Sequence, residues 1–359
     1  MLSKWPTTTL THLRWLNNLP RLLYLAVIAA IGFACNDVHT ELQDSAIKIK
    51  IPAHFPDIIY PEDNTPTTLR IELGRRLFYD TRLSSENDIN CATCHVQSAA
   101  FTDGKRISTA ASSSDFGRNS PTLANLAWAP VLMAEGGVIS LELQALAPLH
   151  NNLEMGDNMM PVVENLNRDK NIRRLAKAAY NRDSVDPFVV TRALAAFQRT
   201  LISGDTRYDR YRNNQSADFT ESEIRGMEIF FSEKTNCGSC HSGTFFTDYE
   251  FYNIGLYEQY ADIGRERKTH LAEDNGKFKT PTLRNIALTG PYMHDGSLST
   301  LQEVIDFYNG GGHNHPNKDN KISELNLSES EQNDLIAFLN TLTDWNFVQN
   351  KNFSSPEVE

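Results

Sequence analysis

Cysteine is scarce in this chain, five in 359 residues. Four belong to two short motifs, and the fifth, Cys35, stands alone. No pair is left over, so a disulfide-stapled scaffold is excluded. Strand-like segments are few and short, which leaves a mostly α fold. Long apolar runs are also missing. The strongest, Leu22 to Ala34, is too short to cross a bilayer comfortably. Basic residues are outnumbered, 34 Lys and Arg against 45 Asp and Glu, which argues against nucleic acid as a partner. Apolar content of 40% and charged content of 22% are those of an ordinary globular protein, long enough for two domains.

Lys4, Arg14 and Arg21 precede the Leu22–Ala34 run, giving residues 1–34 the form of a secretory signal peptide. Cys35 follows directly and reads as the lipidated residue of a lipoprotein signal, although Gly32 stands where such signals carry leucine. The alternative is an ordinary signal peptide with an incidental cysteine. Both imply export, hence a periplasmic protein, with or without a lipid anchor at Cys35. Removing residues 1–34 deletes three basic groups and no acidic ones, leaving 31 against 45, a net charge of −14. That favours steering of basic or dipolar partners, though solubility alone explains it as well.

What the chain does have is one motif twice: Cys91-Ala92-Thr93-Cys94-His95 and Cys237-Gly238-Ser239-Cys240-His241. CxxCH is a c-type haem attachment site. The cysteines Cys91, Cys94, Cys237 and Cys240 form thioethers to the porphyrin, and His95 and His241 bind iron. The alternative is a split four-cysteine zinc site. Its halves would lie 146 residues apart, and it would not need the histidines. Two covalent haems are therefore expected.

Residues 35–66 are polar and proline-punctuated and read as a tether. Residues 67–214 read as an N-terminal haem domain, 215–348 as a C-terminal one and 349–359 as a tail. Helices are expected over Leu69 to Phe78 with Thr68 as N-cap, over Asp186 to Leu201, from Thr220 with Glu223 closing a capping box, and over Ser328 to Leu342. The halves repeat each other. Pro121-Thr122-Leu123-Ala124-Asn125-Leu126-Ala127 lies over Pro281-Thr282-Leu283-Arg284-Asn285-Ile286-Ala287. With two single-residue gaps, Met133 to Gly136 falls over Met293 to Gly296, and Leu141 over Leu301. Seven residues on, Pro148 meets Tyr308. The fold expected is two cytochrome c-like haem domains in tandem.

The stretches ELGRRLFYDTRLS…CATCH, RNSPTL, SLELQALAP, LEM, RGMEIFFS…CGSCH, KTPTLRNIALTGPYMHDGSLSTLQEV and DLIAFLNTL resemble the bacterial diheme cytochrome c peroxidase family. The family includes MauG-type enzymes, which oxidise protein side chains. The resemblance runs in order over roughly residues 68–343.

It implies that the second haem's sixth ligand is Tyr308, where peroxidases carry methionine and MauG-type proteins tyrosine. Met293 and His294 are rival ligands that the family keeps in a structural loop. A buried tyrosine hydrogen-bonded elsewhere is the bland reading of Tyr308. Over the first haem, Pro148 cannot bind iron. Resting peroxidases carry a capping histidine near the position of Ala111, and this chain has none between His95 and His150. An open first iron follows, with His150 as the nearest alternative cap. Gln144 and Glu154 match the family's distal glutamine and acid, and one carboxylate near iron can shuttle both protons of peroxide cleavage. The alternative for Glu154 is a surface acid at a helix start. A calcium ion is implied between the halves, on the Asn119 side chain and carbonyls near Thr269 and Leu271. The family's bridging tryptophan aligns with Ala134; Trp128 is a candidate substitute or a core residue.

The function implied is a periplasmic diheme peroxidase that reduces hydrogen peroxide with electrons from a small cytochrome or cupredoxin. A homodimer is compatible with that reading. The rivals are a MauG-like oxidase of a protein or small molecule, and a non-catalytic diheme electron carrier.

Overall fold

The computed structural model describes residues 42–108, 117–156, 158–215 and 218–356. The signal peptide, Cys35 and Ala111 lie outside them. From Gln43 onward the chain clusters as one compact unit. Its first half holds α1 (Thr68–Phe78), α2 (Cys91–Cys94), α3 (Leu141–Gln144), α4 (Leu146–Leu149), α5 (Met159–Arg168), α6 (Lys170–Tyr180) and α7 (Pro187–Gln198). α8 (Arg207–Arg212) leads to the second half, with α9 (Glu221–Phe230), α10 (Glu266–Thr269), α11 (Leu301–Asn309), α12 (Glu329–Asn340) and α13 (Trp345–Val348). The described strands, β1 (Phe251–Tyr252) and β2 (Phe278–Lys279), pair antiparallel with Phe251 opposite Lys279. The fold is mostly α, as the scarcity of strand signals implies.

The caps follow from short polar side chains that accept the unpaired N–H groups of a first turn. Thr220 and Glu223 form the capping box foreseen for α9, and Ser328 and Glu331 form another on α12. α7 starts at Asp186 with Pro187 in its first turn, where a missing N–H costs nothing. α1 begins one residue earlier than expected. Thr67, not Thr68, is extended and accepts from Arg70 N.

The duplication is geometric as well as textual. α1 crosses α7 at Gly74, where a Cβ would lie 1.9 Å from Ala193 O; α9 crosses α12 at Gly226, where a Cβ would lie 1.9 Å from Asp334 O. Phe78 meets Phe197 at 5.3 Å, and Phe230 meets Phe338 at 5.3 Å. Asn125 and Asn285 both adopt left-handed backbone, φ 60° and 63°, and their N–H groups donate to Leu201 O and Leu342 O, each at 2.9 Å. Asparagine tolerates that region better than most residues.

Two segments depart from the reading above. The described part of the stretch read as a tether packs onto the body. Phe55 is buried edge-on against Trp128 and Phe245, and Asn64 donates to Glu142 Oε1 at 2.8 Å. The proline punctuation marks a folded arm with an aromatic anchor. The described part of the stretch read as a tail also returns to the first half. Phe353 is buried near Phe101, Tyr79 Oη donates to Phe353 O at 2.7 Å, and Gln97 donates to Asn350 O at 2.8 Å.

Candidate haem sites

Each CxxCH begins where an asparagine turns the chain. Asn90 caps α2 through a reciprocal box with Thr93, and Asn236, at φ 53°, opens the short 3-10 turn Cys237–Ser239. All four cysteines are partly exposed, and none is joined to another in a disulfide. Burial pushes the Cys91 thiol up to about 12, and the Cys237 thiol is raised for the same reason. Among the described residues no three His, Cys, Asp or Glu side chains gather into a metal cluster, so the cysteine pairs do not combine into a four-thiolate zinc site.

The histidines are set up alike. His95 Nδ1 lies 2.9 Å from Phe101 O, and His241 Nδ1 lies 3.1 Å from Phe246 O. A carbonyl only accepts, so Nδ1 carries the proton and Nε2 presents its lone pair. Burial lowers both pKa values and so favours the neutral, iron-binding imidazole. These residues fit a thioether-bound haem at each motif. The sequence reading missed the two orienting carbonyls and Ser120, whose hydroxyl donates to Cys94 O at 2.6 Å and lies 3.3 Å from His95 Nδ1. A signal was present: Phe-Thr-Asp recurs after both motifs, at Phe101 and at Phe246.

The helices bearing Pro148 and Tyr308 both start from a hydroxyl N-cap, Ser140 and Thr300, although only Thr300 closes a capping box, with Glu303, and they then diverge. α11 runs unbroken through Tyr308. Its counterpart is interrupted at Ala145 into α3 and α4, and Pro148 lacks the N–H that would continue the ladder. Tyr308 is partly buried, and no hydrogen bond joins its hydroxyl to another described residue. Burial raises its pKa, with the Cys237 and Cys240 sulfurs acting in the same direction, so the phenol lies within electrostatic reach of the second motif. Met293 adopts φ 74° in the turn before Gly296, as Met133 does at 69° before Gly136, and His294 stacks on Phe278 at 3.9 Å.

On the first side, Gln144 ends α3 and is half-buried. Glu154 sits on an exposed turn, where Asn151 donates to its Oε1 at 2.8 Å. Burial by the surrounding protein still raises its carboxyl, against the lowering Asn151 bond. Its charge also raises the Cys94 thiol, which links it to the first motif. His150 is exposed, and its Nδ1 pairs with Leu146 O at 3.1 Å.

For the expected calcium set, Asn119 Nδ2 donates to Lys105 O at 2.7 Å, and Leu271 O already accepts from Asp274 N at 2.9 Å. No hydrogen bond among the described residues joins Asn119 to Thr269 or Leu271. At the bridging position, Ala134 O accepts from Lys279 N at 2.8 Å, and Lys279 Nζ donates to Val131 O at 3.1 Å; burial lowers that amine to about 8. Trp128 lies against Phe55 and Phe245, with Nε1 donating to Pro56 O.

Two CxxCH motifs, each with a Nδ1-protonated histidine in one half of a duplicated α fold, define a diheme c-type cytochrome. Comparison with known proteins sharpens this. Residues 68–217 match the family model described as di-haem cytochrome c peroxidase, and residues 224–343 match that of cytochrome c. The chain is 37% identical to the methylamine utilization protein MauG of Methylophilus methylotrophus, over 80% of this chain and 86% of that one. It is 33% identical to the cytochrome-c peroxidase IdrP1 of Denitromonas iodatirespirans, over 80% and 85%. A crystal structure of a MauG-like protein associated with microbial copper homeostasis superposes with a TM-score of 0.81 at 36% identity, covering 87% of this chain and 99% of that one. The chain belongs to the diheme cytochrome c peroxidase family, MauG-like members included. It is a peroxidase-type oxidoreductase that carries covalent c-type haem.

Proposed function

We propose that this protein is a periplasmic diheme peroxidase that reduces hydrogen peroxide to water with two electrons from a small redox protein. The carrying observation is the asymmetry at one helix position, Pro148 in the first half against Tyr308, within electrostatic reach of Cys237 and Cys240, in the second. The haem iron supplies a site for peroxide in the first half and a relay for electrons in the second. His95 and His241 would hold the two irons through Nε2. Tyr308 Oη would be a second protein ligand in the C-terminal half, and Pro148 offers none in the N-terminal half. Glu154 takes the proton of the incoming peroxide and returns it to the departing oxygen, and Gln144 orients the substrate. Asn119, with backbone carbonyls near Thr269 and Leu271, holds calcium between the halves. Export follows the N-terminal pattern. Among the described residues no helix is long and apolar enough to cross a membrane.

The test is peroxide-dependent oxidation of a reduced cytochrome, wild type against Glu154→Gln. A proton shuttle predicts a loss of about 10²–10⁴-fold. No peroxide-dependent oxidation in the wild type would leave an electron carrier. A second reading, a MauG-like oxidase of a protein or small molecule, is favoured by Tyr308 and by the 37% identity to a MauG. It predicts poor cytochrome oxidation alongside a long-lived oxidised state after peroxide.

A further inference from the structure

The end of α7 carries an amide that none of the roles above uses. Gln198 is 5% exposed, and its Oε1 is wholly buried without a hydrogen-bond partner. No described residue hydrogen-bonds its Nε2. Buried amides are normally paired, so this one calls for a partner that the described residues do not provide.

Its place in the fold indicates which partner. The matched crossings set Ala193 and Phe197 over Asp334 and Phe338, so Gln198 occupies the position of Leu339. Leu339 belongs to the apolar cluster that includes Ile305 of α11 and Phe246, and Cys237 packs against that cluster. The cluster therefore joins the attachment cysteine of the second haem to the helix that carries Tyr308. In the first half the same position is polar. The end of α7 is tied to α3, the helix of Gln144: Arg199 forms a buried ion pair with Glu142, and Leu141 packs on Ala195. An amide offers one acceptor and two donors, and hydrogen peroxide likewise needs both kinds of partner. A site that matches a substrate's hydroxyl discriminates strongly for it.

We infer that Gln198 is a substrate-binding residue of the first haem pocket, its amide hydrogen-bonding the peroxide that approaches the iron held by His95. This rests on the reading that the first iron is open opposite His95. Leucine at the matched position shows that this site in the fold accepts an apolar side chain, so Gln198→Leu is a fair probe. Gln198→Met, unbranched and close in shape, serves where Leu does not fold.

The test uses the ferric holoprotein with fluoride, a small anion that accepts hydrogen bonds at an open iron, titrated optically. Peroxide KM and kcat and the melting temperature are measured in parallel. The expected result is a fluoride Kd about tenfold weaker in the variant, roughly the worth of one hydrogen bond, with KM raised more than kcat is lowered. The melting temperature should stay level or rise, because an unpaired buried amide has been removed. Unchanged fluoride affinity and KM in both variants would overturn the assignment and leave Gln198 a structural residue. If the wild type, folded and with both haems, takes up no fluoride, the open-iron reading falls and this inference with it.

Discussion

At the scale of single residues, the proposed function divides the work between Tyr308 and Glu154. A phenolate is a hard anionic donor that favours ferric iron, and methionine a soft one that raises the potential. Tyr308→Met should therefore raise the midpoint potential of the second haem in a spectroelectrochemical titration and leave the first where it was. An unchanged potential would remove Tyr308 from the iron. Glu154 carries a pH prediction. Burial raises its carboxyl, so the base form is present only above that raised pKa. Peroxide kcat/KM should fall as pH drops through an inflection above the ordinary glutamate value of about 4.3. Glu154→Gln should abolish that inflection.

At the scale of elements, the two helix crossings rest on one glycine each. Gly226 lets α9 approach the α12 backbone so closely that any side chain would strike Asp334 O. Gly226→Ala should destabilise the protein by at least about 1–3 kcal/mol, the usual cost of overpacking, measured as a lower melting temperature of the holoprotein. Gly74→Ala should do the same at Ala193 O. How much was legible in the sequence differs by element. The CxxCH motifs, the Thr220–Glu223 capping box and the Pro148/Tyr308 register could be read because their chemistry is local. The arm holding Phe55 and the strap holding Phe353 could not be. Each is polar in composition with one aromatic anchor, and its partners lie far off in the chain: Trp128 and Phe245 for Phe55, Phe101 and Tyr79 for Phe353. Of the site, the two haem-attachment motifs were legible and their supports largely were not. Phe101 O and Phe246 O act through the backbone, and the sequence marks them only indirectly, by the Phe-Thr-Asp that recurs after both motifs. Gln198 gains its meaning only from the crossing that sets it over Leu339.

At the scale of the whole molecule, the halves are joined by a buried ion pair rather than by a flexible link. Arg284, 1% exposed, grips Asp209 with both NH groups at 2.8 Å. Asp209 also accepts from Thr206, and His54 of the N-terminal arm lies 3.1 Å away. One carboxylate thus gathers the arm, the link between the halves and the Pro281–Ala287 loop. Burial acts to raise its pKa, but the Arg284 guanidinium and the Thr206 bonds prevail and hold it below the usual carboxylate range. A depressed carboxylate contributes stability that is present above the unfolded value, about 3.9, and lost as pH falls through the folded one. Asp209→Asn leaves a buried guanidinium uncompensated and should cost about 3–5 kcal/mol at neutral pH. The gap between variant and wild type should then narrow in acid, as the wild-type carboxylate itself takes up a proton. Chemical denaturation of both holoproteins from pH 7 to pH 3 checks this. A gap that stays constant across that range would mean that Asp209 stabilises the junction by shape and not by charge.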